Sequence, residues 1–315
     1  MSQRALFIVN PVARGAPSVE KLRQALAWLE GRGWQAELTS TEQKGHATDL
    51  ARQAAREGLD TVVACGGDGT VNEVANGLAL SDTALAVIRG GTANVWAKEV
   101  RIPRDPLKAV RVLCEGERRR IDLGLAEPST EAGSGRYFLL MAGVGLDGHI
   151  VSRVPDDLKQ RLGAAAYILH GLREALRYRS SETTVIIDGE PLAVDLCWLL
   201  VGNTRSYGGV VNITHRARAD DGLLDVYVFA GHGFWRMVAH SLRILTRRHD
   251  RGPRLFYRQA QTVELSGPCA LPVQIDGDYL GLAPLRMRVV PGALSVLVPA
   301  GLKSPLFQKT AADAG

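Results

Sequence analysis

The run Val62-Val63-Ala64-Cys65-Gly66-Gly67-Asp68-Gly69-Thr70-Val71-Asn72-Glu73-Val74 carries an apolar strand straight into a glycine turn and then a helix. That succession ties this part of the chain to a strand–turn–helix unit of a parallel α/β sheet. Glycines let backbone N–H groups approach an anion with no Cβ in the way, and the helix that follows points the positive end of its dipole at the same spot. Asp68 is the odd member. A carboxylate among phosphate-binding amides repels an anion unless a divalent cation lies between them, so the loop reads as a metal–nucleotide corner. Thr70 as cap and Glu73 three residues later form a capping-box pattern, and Val71, Val74, Ala75 and Leu78 share one apolar face. The plainer reading, an ordinary corner with glycines for geometry alone, is outweighed by the buried-looking acid and by a second loop of the same kind.

That second loop, Arg89-Gly90-Gly91-Thr92-Ala93-Asn94, again follows an apolar strand and opens a helix. Around the two corners the first 125 or so residues alternate strand and helix: strands at 5–9, 35–39, 61–65 and 84–88, helices at 19–30, 47–56, from 71, at 93–99 and near 106–114. Asn10, Thr41, the Gly66 loop and the Gly90 loop all fall at strand C-termini, where such sheets bind ligands. From Arg120 the texture changes to β-branched runs broken by Asp-Gly and Pro-Gly turns, which predicts an antiparallel domain with strands at 137–142, 183–187, 194–201, 224–229, 262–266, 273–275, 286–290 and 295–298. Two helical insertions, 156–178 and 234–248, a loop at 127–136 and a tail from Lys303 complete the reading. The expected division is an α/β nucleotide domain over 1–125, a β-sandwich acceptor domain over 126–300, and a tail, 301–315, that returns to the first domain.

With 315 residues, 46% hydrophobic and 23% charged, the chain has the length and balance of a two-domain globular protein. A net charge of +5 suits a nucleotide, anionic-lipid or nucleic-acid partner and does not choose among them. Cys65, Cys114, Cys197 and Cys269 show no metal-ligand spacing and read as reduced core thiols of a cytoplasmic protein, with no zinc site expected. The N-terminus lacks the pattern of a signal peptide, and no window approaches the roughly 20 apolar residues that span a bilayer. Any membrane contact is therefore expected to be peripheral.

The fragments CGGDGTVNEVANGL, GGTANVWAKEV, MAGVGLDG, RADDGLLDV and VQIDGDYLG, in this order and spacing, resemble the diacylglycerol kinase catalytic family of bacterial lipid kinases, related to sphingosine kinases and more distantly to NAD kinase. The likeness covers nearly the whole chain. It implies a Rossmann-like α/β domain and a β-sandwich with the nucleotide in the cleft between them, ATP as co-substrate, Mg2+, and a lipid hydroxyl as acceptor at a membrane surface. No nucleic-acid partner is implied, and the oligomeric state, a homodimer included, stays open. By motif match, Asn10, Thr41, Gly66, Gly67, Asp68, Gly69, Thr70, Glu73, Thr92 and Asn94 would line the nucleotide, with Asp68 facing the Mg2+–phosphate. Asp276 matches the family's proposed general base. The Arg218 and Leu223 carbonyls with the Asp221 carboxylate match a structural metal site.

Each match has a plainer counterpart. Asp276-Gly277 is also a strong hairpin signal, as is Asp188-Gly189, which no family motif marks. Asp220-Asp221-Gly222 fits a plain loop before a strand. Gly143-Val144-Gly145-Leu146-Asp147-Gly148 satisfies GxGxxG, but Pro155 follows too soon and no acid stands about 20 residues on, so it is read as a tight backbone approach at the domain junction, with Asp147 facing the cleft. Arg89-Gly90 and Val95 depart from residues common in the family, which bears on the acceptor rather than on the nucleotide site. Trp235, Arg236, Arg243, Arg247, Arg248, Arg251 and Arg254 offer a basic face for anionic headgroups or an ordinary solvated helix face. Ile168, Leu169 and Leu172 suit an acyl groove or a core. Competing readings are an NAD kinase-like enzyme, against which GGTAN and DDGLLDV speak, and a silent nucleotide- or lipid-binding module, against which the joint presence of Asp68 and Asp276 speaks.

Overall fold

A computed structural model describes residues 3–128, 135–153, 174, 178–232, 234–246, 252–267 and 270–308. The chain divides into two compact units, the first made of Met1–Leu123, Arg218–Gly222 and Val290–Gly315, the second of Gly124–Ala217 and Leu223–Val289.

The first unit begins β1 (Arg4–Val9), α1 (Val19–Glu30), β2 (Gln35–Ser40), α2 (His46–Arg56), β3 (Thr61–Gly66), α3 (Asp68–Leu78), β4 (Ala84–Arg89), α4 (Val95–Glu99) and α5 (Pro106–Glu115), and then enters β5 (Glu117–Pro128). The strands run β2-β1-β3-β4, all parallel. β3 is buried along its whole length, which explains its unbroken apolar run: a central parallel strand is covered on both faces. Helix starts follow local chemistry. Ser18 caps α1 by accepting the Lys21 N–H, and Asp105 caps α5 with Pro106 in the first turn. α2 and α3 pack closely, since a Cβ on Gly77 would lie 2.4 Å from the Thr48 carbonyl oxygen.

The second unit holds β6 (Arg136–Phe138), β7 (Met141–Gly145), α6 (Leu146–Arg153), β8 (Ser181–Ile187), β9 (Glu190–Gly202), β10 (Leu224–Ala230), α7 (Phe234–Leu245), β11 (Leu255–Ala260), β12 (Thr262–Ser266), β13 (Pro272–Ile275), β14 (Asp278–Leu282) and the start of β15 (Leu285–Val298). Its pairing is antiparallel, in the order β14-β13-β7-β9-β8-β12-β15, with β10 on β9 and β11 on β10. Alternate residues of these strands, among them Val144, Leu199, Val201, Val226, Val228, Val263, Ile275 and Met287, fill one core. The end of β15 belongs to the first unit, where Ser295 and Val296 pair in parallel with Ala84 and Leu85 of β4.

Several expectations need correction. α3 starts at Asp68 with Gly67 as N-cap, so Thr70 lies inside the helix and forms no capping box. α4 starts at Val95, because Asn94 adopts a left-handed conformation before it. The strands expected at 286–290 and 295–298 are one 14-residue strand, β15, through Pro291-Gly292. β5 extends to Pro128 into the expected loop, and β11 and β14 have no counterpart among the expected strands. The tail needs no correction: Leu306 and Phe307 are buried, and the Ala219 N–H donates to the Leu306 carbonyl within the first unit. Cys65 and Cys197 are buried, whereas Cys114 is exposed and is no core thiol. The insertion expected at 156–178, with Ile168, Leu169 and Leu172, lies outside the described residues apart from Glu174 and Tyr178. Cys269, Arg247, Arg248 and Arg251 also lie outside them.

Candidate active site

Because β1 to β4 are parallel, their C-termini share one edge of the sheet, and the residues expected to meet a nucleotide follow them: Asn10 after β1, Thr41 after β2, Gly66 to Asp68 at the β3–α3 corner, and Gly90 to Asn94 between β4 and α4. The two glycine loops are packed backbone to backbone. The Gly90 N–H donates to the Gly66 carbonyl (2.8 Å), the Gly15 N–H donates to the Gly90 carbonyl (3.0 Å), and a Cβ built on Gly91 would lie 2.5 Å from the Gly67 Cα. A Cβ on Gly66 would meet Thr70 Oγ1 at 2.4 Å, and that same oxygen accepts the Asn10 Nδ2–H (3.2 Å), which ties the end of β1 to α3. Gly69 is different. It is exposed on the first turn of α3, and a Cβ there would have nothing within 4 Å, so open space lies where a helix presents amides without intrahelical partners.

Asp68 is half-buried between the loops, its Oδ1 accepting the Val95 N–H at 2.6 Å. Burial pushes its carboxyl above the ordinary range, while amides at Val95, Asn94 and Asp68 itself, and the Lys98 charge, pull it back. Lys98 escaped the sequence reading; its signal was its place one turn along the helix that the second loop opens. Asn94 shapes that loop: its Oδ1 accepts the Gly91 N–H (2.9 Å) and its Nδ2 donates to the Gly91 carbonyl. Thr92 is exposed between them, and the Thr41 N–H is bonded to the Val9 carbonyl. Glu73 is used elsewhere. Its carboxylate accepts the Gly45 and Ala47 N–H groups (3.0 and 3.2 Å), capping α2 rather than closing a box on α3.

The arrangement suits a metal-bound polyphosphate. Two side-chain-free corners and an open helix N-terminus can take phosphate oxygens, and a cation facing Asp68 would relieve the cost of its burial. Among the described residues no three His, Cys, Asp or Glu side chains stand together as a metal cage. A cation at Asp68 would thus be held by one carboxylate together with phosphate oxygens, which is how Mg2+ is commonly bound.

Arg218 and Asp221 belong to the first unit and Leu223 to the second. The 218–222 turn is pinned by Asp122, whose carboxylate accepts the Gly222 N–H (2.6 Å) and the Gly292 N–H (2.8 Å). Asp220 beside it accepts the Gln308 N–H at 2.8 Å; burial, then the charge of Asp122, pushes its carboxyl up, against Arg119 and Arg218.

In the second unit Asp276 and Gly277 both have positive φ, +49° and +86°, forming the two-residue turn between β13 and β14. The Asp276 carboxylate accepts three backbone N–H groups, from Leu139 (2.8 Å) on Oδ2 and from Leu140 (2.9 Å) and Met141 (2.8 Å) on Oδ1. The 139–141 tripeptide is anchored from the other side by Asn203, whose Nδ2 donates to the Leu139 carbonyl. Asp147 does not face a cleft: it is 3% exposed, and the tight approach of its glycine loop lies within this unit, where a Cβ on Gly148 would lie 2.1 Å from the Pro272 carbonyl oxygen. Burial pushes the Asp147 carboxyl up, with Tyr207, Gln274 and Trp198 pulling the other way.

Comparison with known proteins places the chain among relatives. Residues 4–126 match the family model described as the diacylglycerol kinase catalytic domain, and residues 141–298 match the YegS C-terminal NAD kinase beta sandwich-like domain. A diacylglycerol kinase of Bacillus subtilis (strain 168) is 32% identical over 285 residues, 90% of this chain and 92% of that one. A diacylglycerol kinase of Staphylococcus aureus (strain bovine RF122 / ET3-1) is 28% identical over 95% of this chain and 93% of its own length. Among solved structures, a diacylglycerol kinase from Bacillus anthracis str. Sterne shares the fold with a TM-score of 0.70 at 21% identity, covering 96% of this chain and 98% of that one.

Proposed function

The chain belongs to the diacylglycerol kinase catalytic family and is a phosphotransferase with an alcohol acceptor, and from that premise we propose that it moves the γ-phosphoryl group of ATP, with Mg2+, onto the hydroxyl of a diacylglycerol-like lipid. One observation carries the donor half of the reading: two glycine corners packed against each other with a desolvated carboxylate, Asp68, between them. The acceptor half rests on the names of the relatives.

Phosphoryl transfer asks a protein for charge neutralisation, in-line positioning and a base near the attacking hydroxyl. In this reading the amides of the Gly66–Thr70 corner and the Gly91–Asn94 loop hold phosphate oxygens, Asn10 and Thr41 border them, and Asp68 faces the cation. Mg2+ bound there would neutralise charge on the phosphates. Glu73 contributes indirectly, through the start of α2, and Asp276 accepts the proton of the acceptor hydroxyl late in the reaction, for which an ordinary carboxylate suffices if it is well placed. Arg218, Asp221 and Leu223 would hold a second, structural cation. The reading places the enzyme in the cytoplasm, meeting the lipid peripherally at the bilayer surface; no helix among the described residues is long and apolar enough to cross a membrane.

The test is turnover of ATP with diacylglycerol in mixed micelles, before and after removal of divalent cations with EDTA. The reading expects labelled phosphatidic acid with Mg2+, loss with EDTA and recovery when Mg2+ is restored. Phosphatidic acid formed at the full rate in EDTA would overturn the role given to the cation.

A further inference from the structure

Two hairpins of the second unit share one turn. β13 and β14 join through Asp276-Gly277 with φ of +49° and +86°, and β8 and β9 through Asp188-Gly189 with φ of +49° and +84°. Both aspartates clamp a neighbouring segment. Asp276 accepts amides of residues 139–141 and donates its N–H to the Met141 carbonyl; Asp188 accepts the Gln261 and Thr262 amides and donates to the Thr262 carbonyl.

The hairpins differ two residues before the aspartate, where one has Ile186 and the other Gln274. Gln274 is 3% exposed; its Oε1 accepts the Gly277 N–H (2.8 Å) and its Nε2 donates to Asp147 Oδ2 (2.6 Å). Asp147, equally buried, accepts the Tyr207 O–H on its other oxygen at 2.5 Å. Gly143 makes the room, since a Cβ there would fall 2.0 Å from Asp147 Oδ2 and 2.8 Å from Gln274 Nε2. The β8–β9 hairpin shows that an isoleucine suffices to form this turn. A buried carboxylate, amide and phenol are costly beside an apolar filling, so their presence under one hairpin calls for a reason other than the turn itself.

We propose that Asp147 and Gln274 are positioning residues, and that the hydrogen-bonded chain Tyr207–Asp147–Gln274–Gly277 holds the Asp276 turn in the one orientation that presents its carboxylate to the acceptor hydroxyl. The proposal rests on the reading of Asp276 as base. A carboxylate accepts from both neighbours and an amide has one accepting and one donating end, so the order of groups along the chain admits only one amide orientation. The Gly277 N–H is thereby fixed beside the residue that must meet the proton.

The test is a polarity swap. Gln274→Glu alone sets two carboxylates face to face, whereas Asp147→Asn alone stays bonded, because its amide can turn so that the oxygen accepts the Gln274 N–H and the N–H donates to the Tyr207 hydroxyl oxygen. Together, D147N and Q274E restore every bond. The Tyr207 hydroxyl then donates to the amide oxygen introduced at position 147, the N–H of that amide donates to the carboxylate introduced at position 274, and the same carboxylate accepts the Gly277 N–H. Gln274→Glu is expected to lower kcat per folded molecule roughly 10- to 100-fold with the KM for ATP unchanged, and the double variant to recover to within about threefold of wild type. Gln274→Glu with wild-type kcat, whatever its Tm, or a double variant no faster than Gln274→Glu, would overturn the proposal. Should a single be too unstable to assay, the double still decides, since a kcat lowered tenfold or more with all bonds restored contradicts the chain's role. Asp276→Asn run alongside separates the two levels: undiminished turnover there removes the base and this inference with it, whereas loss there with an unaffected Gln274→Glu variant removes only the inference.

Discussion

Asp68→Asn is expected to lower turnover roughly 1,000-fold while leaving the ligand-free protein at least as stable as wild type at neutral pH. The asparagine keeps Oδ1 in place to accept the Val95 N–H, so the link between the two glycine loops survives. What disappears is a negative charge that burial disfavours. The sign follows from linkage: for a carboxyl raised on folding, stability falls as the pH rises from the unfolded to the folded value, and above the folded value the buried charge weighs fully against the fold. Removing it therefore relieves the apoprotein, and the advantage shrinks as the pH falls from the folded to the unfolded value and is gone below it, where both chains are neutral at this position. The cation loses its ligand at the same time. Thermal melts of the two apoproteins at neutral and acidic pH, beside rates with saturating ATP and Mg2+, check both halves. A variant that melts well below wild type at neutral pH and turns over normally would contradict both.

Asp276→Asn is expected to reduce kcat by roughly 10²- to 10⁴-fold with the KM for ATP little changed, the range for loss of a general base. The same substitution weakens a structural anchor, because the carboxylate holds three amides and an asparagine sets an N–H donor against one of them; a cost of about 1–3 kcal/mol in stability is expected. The two effects separate by comparison with Asp188→Asn. Asp188 sits in the same kind of turn and takes its amide hydrogen bonds on one oxygen that asparagine retains, so that variant should keep full turnover. Equal kcat per folded molecule in Asp276→Asn and wild type would leave Asp276 as an anchor only.

Much of the first unit was legible because parallel-sheet grammar is local: apolar strand, turn residue, amphipathic helix. The glycine corners could be found from sequence because only glycine tolerates a neighbour at 2.5 Å from where its Cβ would be, as at Gly91 against the Gly67 Cα. The reading of Thr70 and Glu73 failed for an instructive reason. Their spacing is that of a capping box, but tertiary contacts offered each a better partner, Asn10 for the hydroxyl and the first amides of α2 for the carboxylate. Composition could not separate Asp276 from Asp188, and their backbones do not separate them either. The distinction lies in a residue two places earlier and in Asp147, 127 residues away from Gln274 in the chain, a pairing that no local pattern encodes. Leu302, Leu306 and Phe307 of the tail were likewise legible only as composition until the first unit supplied the place that buries them.

The central claim, that this chain is a lipid kinase, is tested most directly by incubating it with γ-labelled ATP and Mg2+ against a membrane-lipid extract and, separately, against NAD, with Asp68→Asn as control. A labelled lipid that co-migrates with phosphatidic acid, absent from the control, is expected, with no labelled NADP. Label in NADP and in no lipid would contradict it.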